Sequence, residues 1–312
     1  MVAHGTRQDI VQATLQCSHI WDAVHVLHLR QNMRVVTNDH NSSFAEWLLH
    51  LGHDRQELSP GSIDLPLFMC CKTEDNLIKS VYGSFSHQST VPPPDFFAKC
   101  TILAARNADI HNLNSTILDS ILGDVRTFTS ADSYSIDSPT PHENNNIPLE
   151  FLHTLNASGL PVAHLSLKLG CPIILLCNID TNRGLCNGTR ATIVHMSNRL
   201  LEVRLLTGDH AGENALIPCI TLSPSPTNMD FAIKLNRCQF PVQLALAMTI
   251  NKSQFQTLTH VGINLRKPVF SHGQLYVAFS RVTSSQHIKV LLPHHSTTTQ
   301  TRNVVFKEIL LM

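Results

Sequence analysis

The residues of this sequence best suited to chemistry are two arginines, Arg34 and Arg281, which lie in stretches of mixed apolar and polar residues. A guanidinium group is planar, can bind two phosphate oxygens at once, and keeps its positive charge near neutral pH. Those properties suit the negative charge that develops during phosphoryl transfer. A single arginine in isolation more often forms a surface ion pair, so the segments around Arg34 and Arg281 must decide between the two roles.

The N-terminal part of the chain predicts one clear helix. Ser43 and Glu46 form a capping-box pattern, and the apolar spacing that follows predicts a helix that ends at Gly52. The acidic pair Glu74 and Asp75 follows no convincing strand, and we predict a loop there. It is therefore not an obvious magnesium-binding motif.

The middle and the end of the chain indicate a repeated order of strand and helix. Residues 100–104 predict a buried strand, and residues 107–121 carry apolar side chains at helical spacing. Alternate apolar residues predict a single strand over 242–250. A helical face over 275–282 and a strand over 287–292 complete the pattern, which is typical of an α/β layer.

Between these α/β segments the sequence pattern changes to one that predicts short strands. From about Leu165, strands are predicted over 189–195 and 200–206, with turns between them. Asn187-Gly188 favours a tight reversal of the chain. Several short strands separated by turns predict a small β-barrel. Because the α/β pattern resumes after Pro241, we interpret the barrel as an insertion.

The net charge of zero hides an asymmetry along the chain. Residues 1–159 hold 9 basic and 17 acidic side chains, whereas residues 160–292 hold 12 basic and 5 acidic ones. Lysine and arginine supply the sequence-independent part of nucleic-acid affinity, so the second region could face phosphates. Ordinary solvated basic residues would give the same count, and charge alone leaves both interpretations open.

Composition excludes several other classes of protein. The longest apolar runs, such as residues 172–177, are too short to cross a bilayer, and the N-terminus lacks the core of a signal peptide. We therefore expect an intracellular protein without a membrane partner. The nine cysteines form no C-x-x-C pair, and we interpret them as buried reduced thiols in preference to a metal site.

Four stretches within residues 21–293 together resemble the C-terminal motifs of the Pif and RecD-like DNA helicases of superfamily one, especially the versions carried in Helitron-type transposons. The stretches are residues 26–34, 101–109, 167–190 and the pair 247–258 and 272–282. The resemblance implies an α/β fold: the RecA-like P-loop NTPase second domain, discontinuous in sequence, with an inserted small SH3-like β-barrel. It also implies ATP-dependent DNA unwinding from five-prime to three-prime, in repair, recombination and telomere maintenance.

The same resemblance implies roles for individual residues. Arg34 would reach the terminal phosphate of the nucleotide, and Arg281 would act as the arginine finger. The residues implied to couple nucleotide to DNA are Thr249, Lys252, Ser253, Gln254 and Gln256. The family usually has glycine where this chain has Phe255. A bulky side chain thus replaces the residue whose backbone freedom permits a tight turn. That departure puts activity in doubt.

Four further residues are candidates for contact with single-stranded DNA. By resemblance, Arg106 and Asn107 begin a helix beside the DNA channel, although Asn107 could equally cap that helix with Arg106 in solvent. Lys168 and Arg190 lie in the stretch that resembles the barrel and are weaker candidates. The glycines of that stretch are better explained as parts of a structural hairpin.

The sequence contains no Gly-Lys dipeptide and hence no phosphate-binding loop of the form G-x-x-x-x-G-K-[ST]. The complete enzyme is expected to need ATP and Mg²⁺, so we expect this chain to be a helicase fragment that is inactive alone. Its expected partners are single-stranded DNA and a separately encoded N-terminal half. By resemblance it belongs in the nucleus, with the mitochondrion as the alternative.

The predicted domain limits follow from the same resemblance. They are a remnant of the first RecA-like domain over 1–20, the second RecA-like domain over 21–146 and 241–293, the barrel over 147–240, and a tail over 294–312. Two functions compete with the helicase interpretation. One is a nucleic-acid-binding module without enzyme activity, and the other is an inert transposon remnant.

Overall fold

The computed structural model describes most of the chain, and the described residues form two compact units. They are residues 5–27, 39–54, 61–83, 96–135, 147–157, 159–224, 234–254, 256–293 and 298–310. Unit 1 comprises residues 1–81, 102–106 and 249–312, and unit 2 comprises residues 82–101 and 107–248. The predicted domain limits were drawn from the resemblance to a family and stay predictions.

The described residues contain seven α-helices and seventeen strands, joined by short 3₁₀ turns. The helices are α1 Arg7–Gln12, α2 Asp39–His53, α3 Glu74–Tyr82, α4 Phe96–Lys99, α5 Asn107–Ser120, α6 Leu149–Thr154 and α7 Gln274–Phe279. The strands are β1 Ser62–Asp64, β2 Cys70–Cys71, β3 Cys100–Ala104, β4 Arg126–Thr129, β5 Ala131–Ser135, β6 His164–Leu167, β7 Pro172–Leu175, β8 Arg190–Met196, β9 Leu200–Leu205, β10 Asn214–Pro218, β11 Ile220–Leu222, β12 Lys234–Gln239, β13 Val242–Leu244, β14 Ala247–Thr249, β15 His260–Asn264, β16 Ile288–Leu291 and β17 Gln300–Arg302.

A parallel sheet forms the centre of unit 1. β15 pairs in parallel with β16, and β16 pairs in parallel with β2. A parallel sheet needs cover on both faces, which explains why β15 is buried over four of its five residues. A Cβ atom at Gly262 of β15 would lie 2.9 Å from Val81 and 3.1 Å from Leu77. Helix α3 therefore packs directly on the backbone of this strand.

The start of α3 differs from the prediction. Glu74 and Asp75 were expected in a loop without a preceding strand, whereas they form the first turn of α3, just after β2. Two local features explain the helix. Thr73 accepts a hydrogen bond on Oγ1 from the backbone N–H of Asn76 at 3.2 Å, as a capping residue does. Acidic side chains in a first turn also interact favourably with the helix dipole.

Helix α2 is confirmed, but its predicted start at Ser43 was wrong. The helix already begins at Asp39 and continues through Gly52 to His53, so Ser43 lies inside the helix. A Ser-x-x-Glu pattern within a helix is indistinguishable by sequence from one at its start. The apolar face is as predicted: Phe44 and Leu51 are buried, and the Trp47 ring meets the ring of Phe279 edge-on at 5.1 Å.

Unit 2 contains the short strands that the sequence predicts, and most of its strands pair antiparallel. Five of them form a sheet in the order β10-β9-β8-β7-β13, and three form a sheet in the order β11-β12-β5. In β9, Leu201, Val203 and Leu205 are buried while the residues between them are less so. Gly188 has φ +90, which agrees with the predicted reversal. The SH3-like form of the predicted barrel stays a prediction.

The strand predicted over 242–250 is interrupted. The structure has two short strands, β13 and β14, separated by Ala245 and Leu246. The side chain of Asn114 in α5 donates hydrogen bonds to the carbonyls of Leu244 at 3.2 Å and Ala247 at 3.0 Å. It also accepts one from the Ala247 N–H at 2.7 Å. Polar groups from outside the strand therefore satisfy the backbone at the break.

The cysteines are reduced, but most are not buried. All nine are free thiols, of which Cys100 and Cys171 are buried, Cys17 is exposed and six are partly exposed. Burial was therefore predicted for too many of them. Within the described ranges, no group of three or more metal-binding side chains comes together. Also within those ranges, no helix has the length and apolar character needed to cross a membrane.

Candidate functional site

The polar run that follows β14 folds back on itself as a compact turn. Thr249 precedes a 3₁₀ turn over Ile250–Ser253, and the Ser253 hydroxyl donates to the Ile250 carbonyl at 2.7 Å. The Gln256 side-chain amide donates to the Lys252 carbonyl at 3.2 Å. Ser253 is fully buried, whereas Gln254 is exposed. Gln254 is thus exposed on the turn, whereas hydrogen bonds within the turn hold the side chains of Ser253 and Gln256.

Arg281, just beyond the end of α7, holds this turn in place. Its Nη1 donates to the carbonyls of Ser253 at 3.1 Å and Gln256 at 3.2 Å. Its Nε donates to the Val277 carbonyl at 2.8 Å, and its Nη2 donates to the Ser280 hydroxyl at 2.7 Å. The side chain is 8% exposed. The structure therefore brings Arg281 together with the predicted coupling residues 249–256.

Burial of two polar groups in this turn, the Lys252 ammonium and the Gln256 side-chain carbonyl, costs free energy. Burial lowers the pKa of the Lys252 ammonium, because a charged group loses hydration inside the protein. The Gln256 Oε1 atom is buried and accepts no hydrogen bond from the described residues. An unsatisfied buried acceptor costs about 1–3 kcal/mol. A buried ammonium with a lowered pKa at a sequence motif makes this turn a candidate functional site.

Two predicted residues lie outside the described part of the chain. They are Arg34, predicted to reach the nucleotide, and Phe255, the departure from the family's glycine. Both stay predictions.

Arg106 and Asn107 lie where they could meet a ligand. Both residues are exposed: Arg106 lies in the turn between β3 and α5, and Asn107 is the first residue of α5. The N-cap position of α5 therefore belongs to Arg106, which does not favour the alternative in which Asn107 caps the helix, and the predicted DNA contact stays a prediction.

Arg190 is buried, which argues against its predicted contact with DNA. Its side chain is 0% exposed, and its Nη2 donates to the Phe97 carbonyl at 2.6 Å and the Cys100 carbonyl at 3.4 Å. Its Nη1 donates to the Ala98 carbonyl at 3.3 Å. Burial lowers the pKa of Arg190 to about 10. The guanidinium fastens β8 to the end of α4.

Lys168 is also enclosed by protein. Only 5% of the residue is exposed, and its ammonium donates to the Ile121 carbonyl at 2.6 Å, just past the end of α5. A cation near a helix C-terminus satisfies a carbonyl that has no partner within the helix. This position favours a structural role over the predicted DNA contact.

Sequence reasoning missed the most deeply buried ion pair in the described part of unit 2. Arg237 of β12 and Asp132 of β5 have fully buried side chains 2.7 Å apart. Arg237 also donates to the carbonyls of Leu152, Leu155 and Pro161. A signal was available: Leu235, Arg237 and Gln239 alternate along β12 and share its buried face. A charge on such a face requires a partner.

Solved structures define the fold class to which this arrangement belongs. The chain is similar to the crystal structure of Pif1 helicase from Candida albicans, with a TM-score of 0.53 and 23% identity, over 84% of this chain and 55% of that one. It is similar also to Bacteroides Pif1 bound to ssDNA, with a TM-score of 0.52 and 20% identity, over 88% of this chain and 53% of that one. The fold is the mixed α/β, RecA-like fold of those helicase structures.

Sequence comparison agrees with the fold. The family model of the PIF1-like helicase matches residues 1–59, and that of the DNA helicase Pif1 2B domain matches residues 150–196. The ATP-dependent DNA helicase PIF1 of Rattus norvegicus is 35% identical over 195 residues, 61% of this chain and 27% of that protein. The human protein of the same name gives the same identity and shares.

The chain is therefore similar to the Pif1-like helicases, which confirms the predicted resemblance to that family, while the Helitron type stays a prediction. The matched region spans about a quarter of the length of these curated relatives and about half of the solved chains. The 2B-domain match at residues 150–196 falls within the predicted insertion.

Proposed function

We propose that this chain is part of an ATP-dependent DNA helicase of the Pif1 type, in which it contacts single-stranded DNA and couples that contact to nucleotide turnover. One observation carries the proposal: Arg281 is bonded to the backbone of the turn that holds the predicted coupling residues. The names of the relatives support it, since the rat protein is called an ATP-dependent DNA helicase.

In this conformation Arg281 is a positioning residue. Its guanidinium donates to oxygen atoms of Ser253, Gln256, Val277 and Ser280, so a contact with nucleotide requires some of these hydrogen bonds to be exchanged. A guanidinium suits such an exchange, because its five donors lie in a fixed fork that fits phosphate as well as carbonyl groups. The complete enzyme would take ATP, as the relatives do by name.

We expect the complete enzyme to use Mg²⁺ with its ATP; among the described residues, no three carboxylate, histidine or cysteine side chains come together that could hold the ion by themselves. We also propose that residues 1–312 alone do not hydrolyse ATP, because their sequence contains no phosphate-binding loop.

Unwinding direction and roles in repair, recombination and telomere maintenance are proposals by resemblance. A nuclear or mitochondrial location is a further proposal, which imaging of a tagged chain would test.

The first experiment measures DNA binding and ATP turnover on one preparation of the purified chain. We expect a labelled single strand to bind with an affinity that falls as salt rises, because released counterions drive such binding. We expect no DNA-stimulated ATP hydrolysis. Turnover that disappears in the Arg281→Ala variant would show instead that the chain is a complete motor, and absence of any DNA binding would contradict the proposed role.

A matched pair of variants tests where the strand binds. Arg106→Ala removes an exposed cation at the predicted DNA contact, and Lys267→Ala removes an exposed cation outside the predicted motifs. We expect the first to weaken DNA binding severalfold and the second to have little effect. Equal losses would indicate non-specific attraction to basic surface, as expected of a binding module without motor activity.

A further inference from the structure

Two cysteine side chains in unit 2 are in contact. The Sγ atoms of Cys219 and Cys238 lie 3.6 Å apart, and both thiols are free and partly exposed. A disulfide bond needs an S–S distance of about 2.05 Å. The sulfur atoms must therefore approach each other by roughly 1.5 Å, which side-chain rotation and a small backbone adjustment can supply.

The backbone around the pair allows that approach. Cys238 lies within β12 and pairs opposite Thr221 of β11, with Ala131 of β5 on its other side. Cys219 comes just before β11, and its N–H donates to the Arg199 carbonyl at 3.0 Å instead of to β12. The backbone of Cys238 is thus paired with a strand on each side, whereas Cys219 lies just before the start of β11.

The side-chain pattern of β12 keeps the pair accessible. Leu235, Arg237 and Gln239 are buried, whereas Asn236 and Cys238 between them are partly exposed. Cys238 therefore lies on the outer face of the sheet, where a small reagent can reach it. Cys100 and Cys171, in contrast, are buried.

We propose that Cys219 and Cys238 are a redox modification site that forms a reversible disulfide by exchange with a low-molecular-weight disulfide, such as glutathione disulfide. The thiolate of one cysteine attacks a sulfur of the reagent, which forms a mixed disulfide and expels one glutathione thiolate. The second cysteine then attacks the protein sulfur of that mixed disulfide and expels the second glutathione. The protein loses two electrons and two protons, and the reagent becomes two thiols.

The environment of Cys219 disfavours its thiolate form. Burial, with a smaller effect of the hydrogen bond to Cys238, raises the pKa of the Cys219 thiol to about 11. Few Cys219 side chains are then thiolates at neutral pH, and attack by the thiolate is what drives exchange. This site is independent of the proposed helicase function.

The test exposes the folded chain to glutathione disulfide and maps its disulfides by mass spectrometry after blocking the remaining thiols. We expect a peptide pair joined through Cys219 and Cys238, about 2 Da lighter than the sum of its reduced peptides, as the first disulfide to form. Reduced glutathione in excess should reverse it. The same treatment in concentrated urea should give mixed pairings, because the fold no longer holds the two sulfur atoms together.

Two variants supply the controls. Cys238→Ser should abolish the joined peptide, and Cys186→Ser, which removes another partly exposed thiol, should leave it intact. The proposal is wrong if the folded wild-type chain keeps both thiols free or carries stable glutathione on both. It is equally wrong if Cys219 pairs first with a different cysteine. The wild-type mapping decides these outcomes even where a variant fails to fold.

Discussion

Arg281 in unit 1 and the pair Arg190 and Arg237 in unit 2 are buried arginines that bind backbone carbonyls, yet they were found by different routes. A sequence motif indicated Arg281, whereas Arg190 was a weak DNA candidate and Arg237 was overlooked. The structure shows Arg281 at 8% exposure and the other two at 0%. Arg281 binds the backbone of a turn of polar residues, whereas Arg190 and Arg237 join elements of the core of unit 2.

A count of basic residues overstates the basic surface of this chain. Four of the 12 basic side chains in residues 160–292 are buried: Lys168, Arg190, Arg237 and Arg281. The positive charge of that region therefore cannot be assigned to a DNA-binding face as a whole. The exposed cations, and not the total, should govern the salt dependence of DNA binding.

The largest expected effect is at Arg237. Arg237→Met should lower the free energy of unfolding by about 3–5 kcal/mol, because Asp132 would stay buried without its cation. Urea unfolding followed by circular dichroism measures the loss. The double variant Asp132→Leu with Arg237→Met should recover much of it, since no buried charge is left. A loss below about 1 kcal/mol in the single variant would show that the pair is not buried in solution.

A smaller loss is expected at Arg190. Arg190→Met removes three hydrogen bonds to the segment 97–100 and should cost about 2–3 kcal/mol by the same measurement. The control Arg204→Met changes an exposed arginine and should stay within about 0.5 kcal/mol. The folded Arg190→Met protein should bind single-stranded DNA as the wild type does. Weaker DNA binding at unchanged stability would restore the DNA contact predicted from sequence.

Arg281→Lys should have a local effect. Lysine keeps the charge but loses the fork that holds the carbonyls of Ser253 and Gln256, at a cost of about 1–2 kcal/mol. Hydrogen exchange should therefore speed up in residues 249–258 and stay unchanged in unit 2. Faster exchange throughout the chain would mean that Arg281, like Arg237, supports the core and not a particular turn.

The smallest effect concerns pH at Lys252. Its pKa is lowered by burial, so protonation is harder in the folded than in the unfolded chain. This side chain therefore destabilises the fold at neutral pH, and the penalty disappears as pH rises through the folded-state pKa toward the ordinary value of 10.5. Relative to Lys252→Met, the wild type should gain stability between pH 7 and pH 10 in urea unfolding. A constant difference would show that Lys252 is hydrated.

Much of the fold could be predicted because local patterns determine it. The burial of β3, the helical face of α5 and the alternation in β9 all follow from apolar spacing. The start of α2 and the helix at Glu74 could not be predicted so well, since several capping patterns compete within a few residues. The strand predicted over 242–250 was wrong in its continuity because the break depends on Asn114, more than a hundred residues away.

The candidate site was predictable only where residues act as a local motif. The structure brings the turn at 249–256 and Arg281 together, while the roles that the resemblance implies for them stay predictions. The roles of Arg190, Lys168 and Arg237 depend on which distant carbonyls surround them, which no spacing along the sequence reveals.

The Asn114 amide also constrains how this sequence can vary. Its oxygen and nitrogen are both used, since it accepts from Ala247 and donates to Leu244 and Ala247. Aspartate would keep the shape but turn the donor into a second acceptor that faces two carbonyls, and leucine would satisfy none of the three backbone groups. Position 114 lies in the middle of a helix, where alanine would ordinarily be the most favourable residue. The backbone of residues 244–247, distant in sequence, requires an amide side chain there instead.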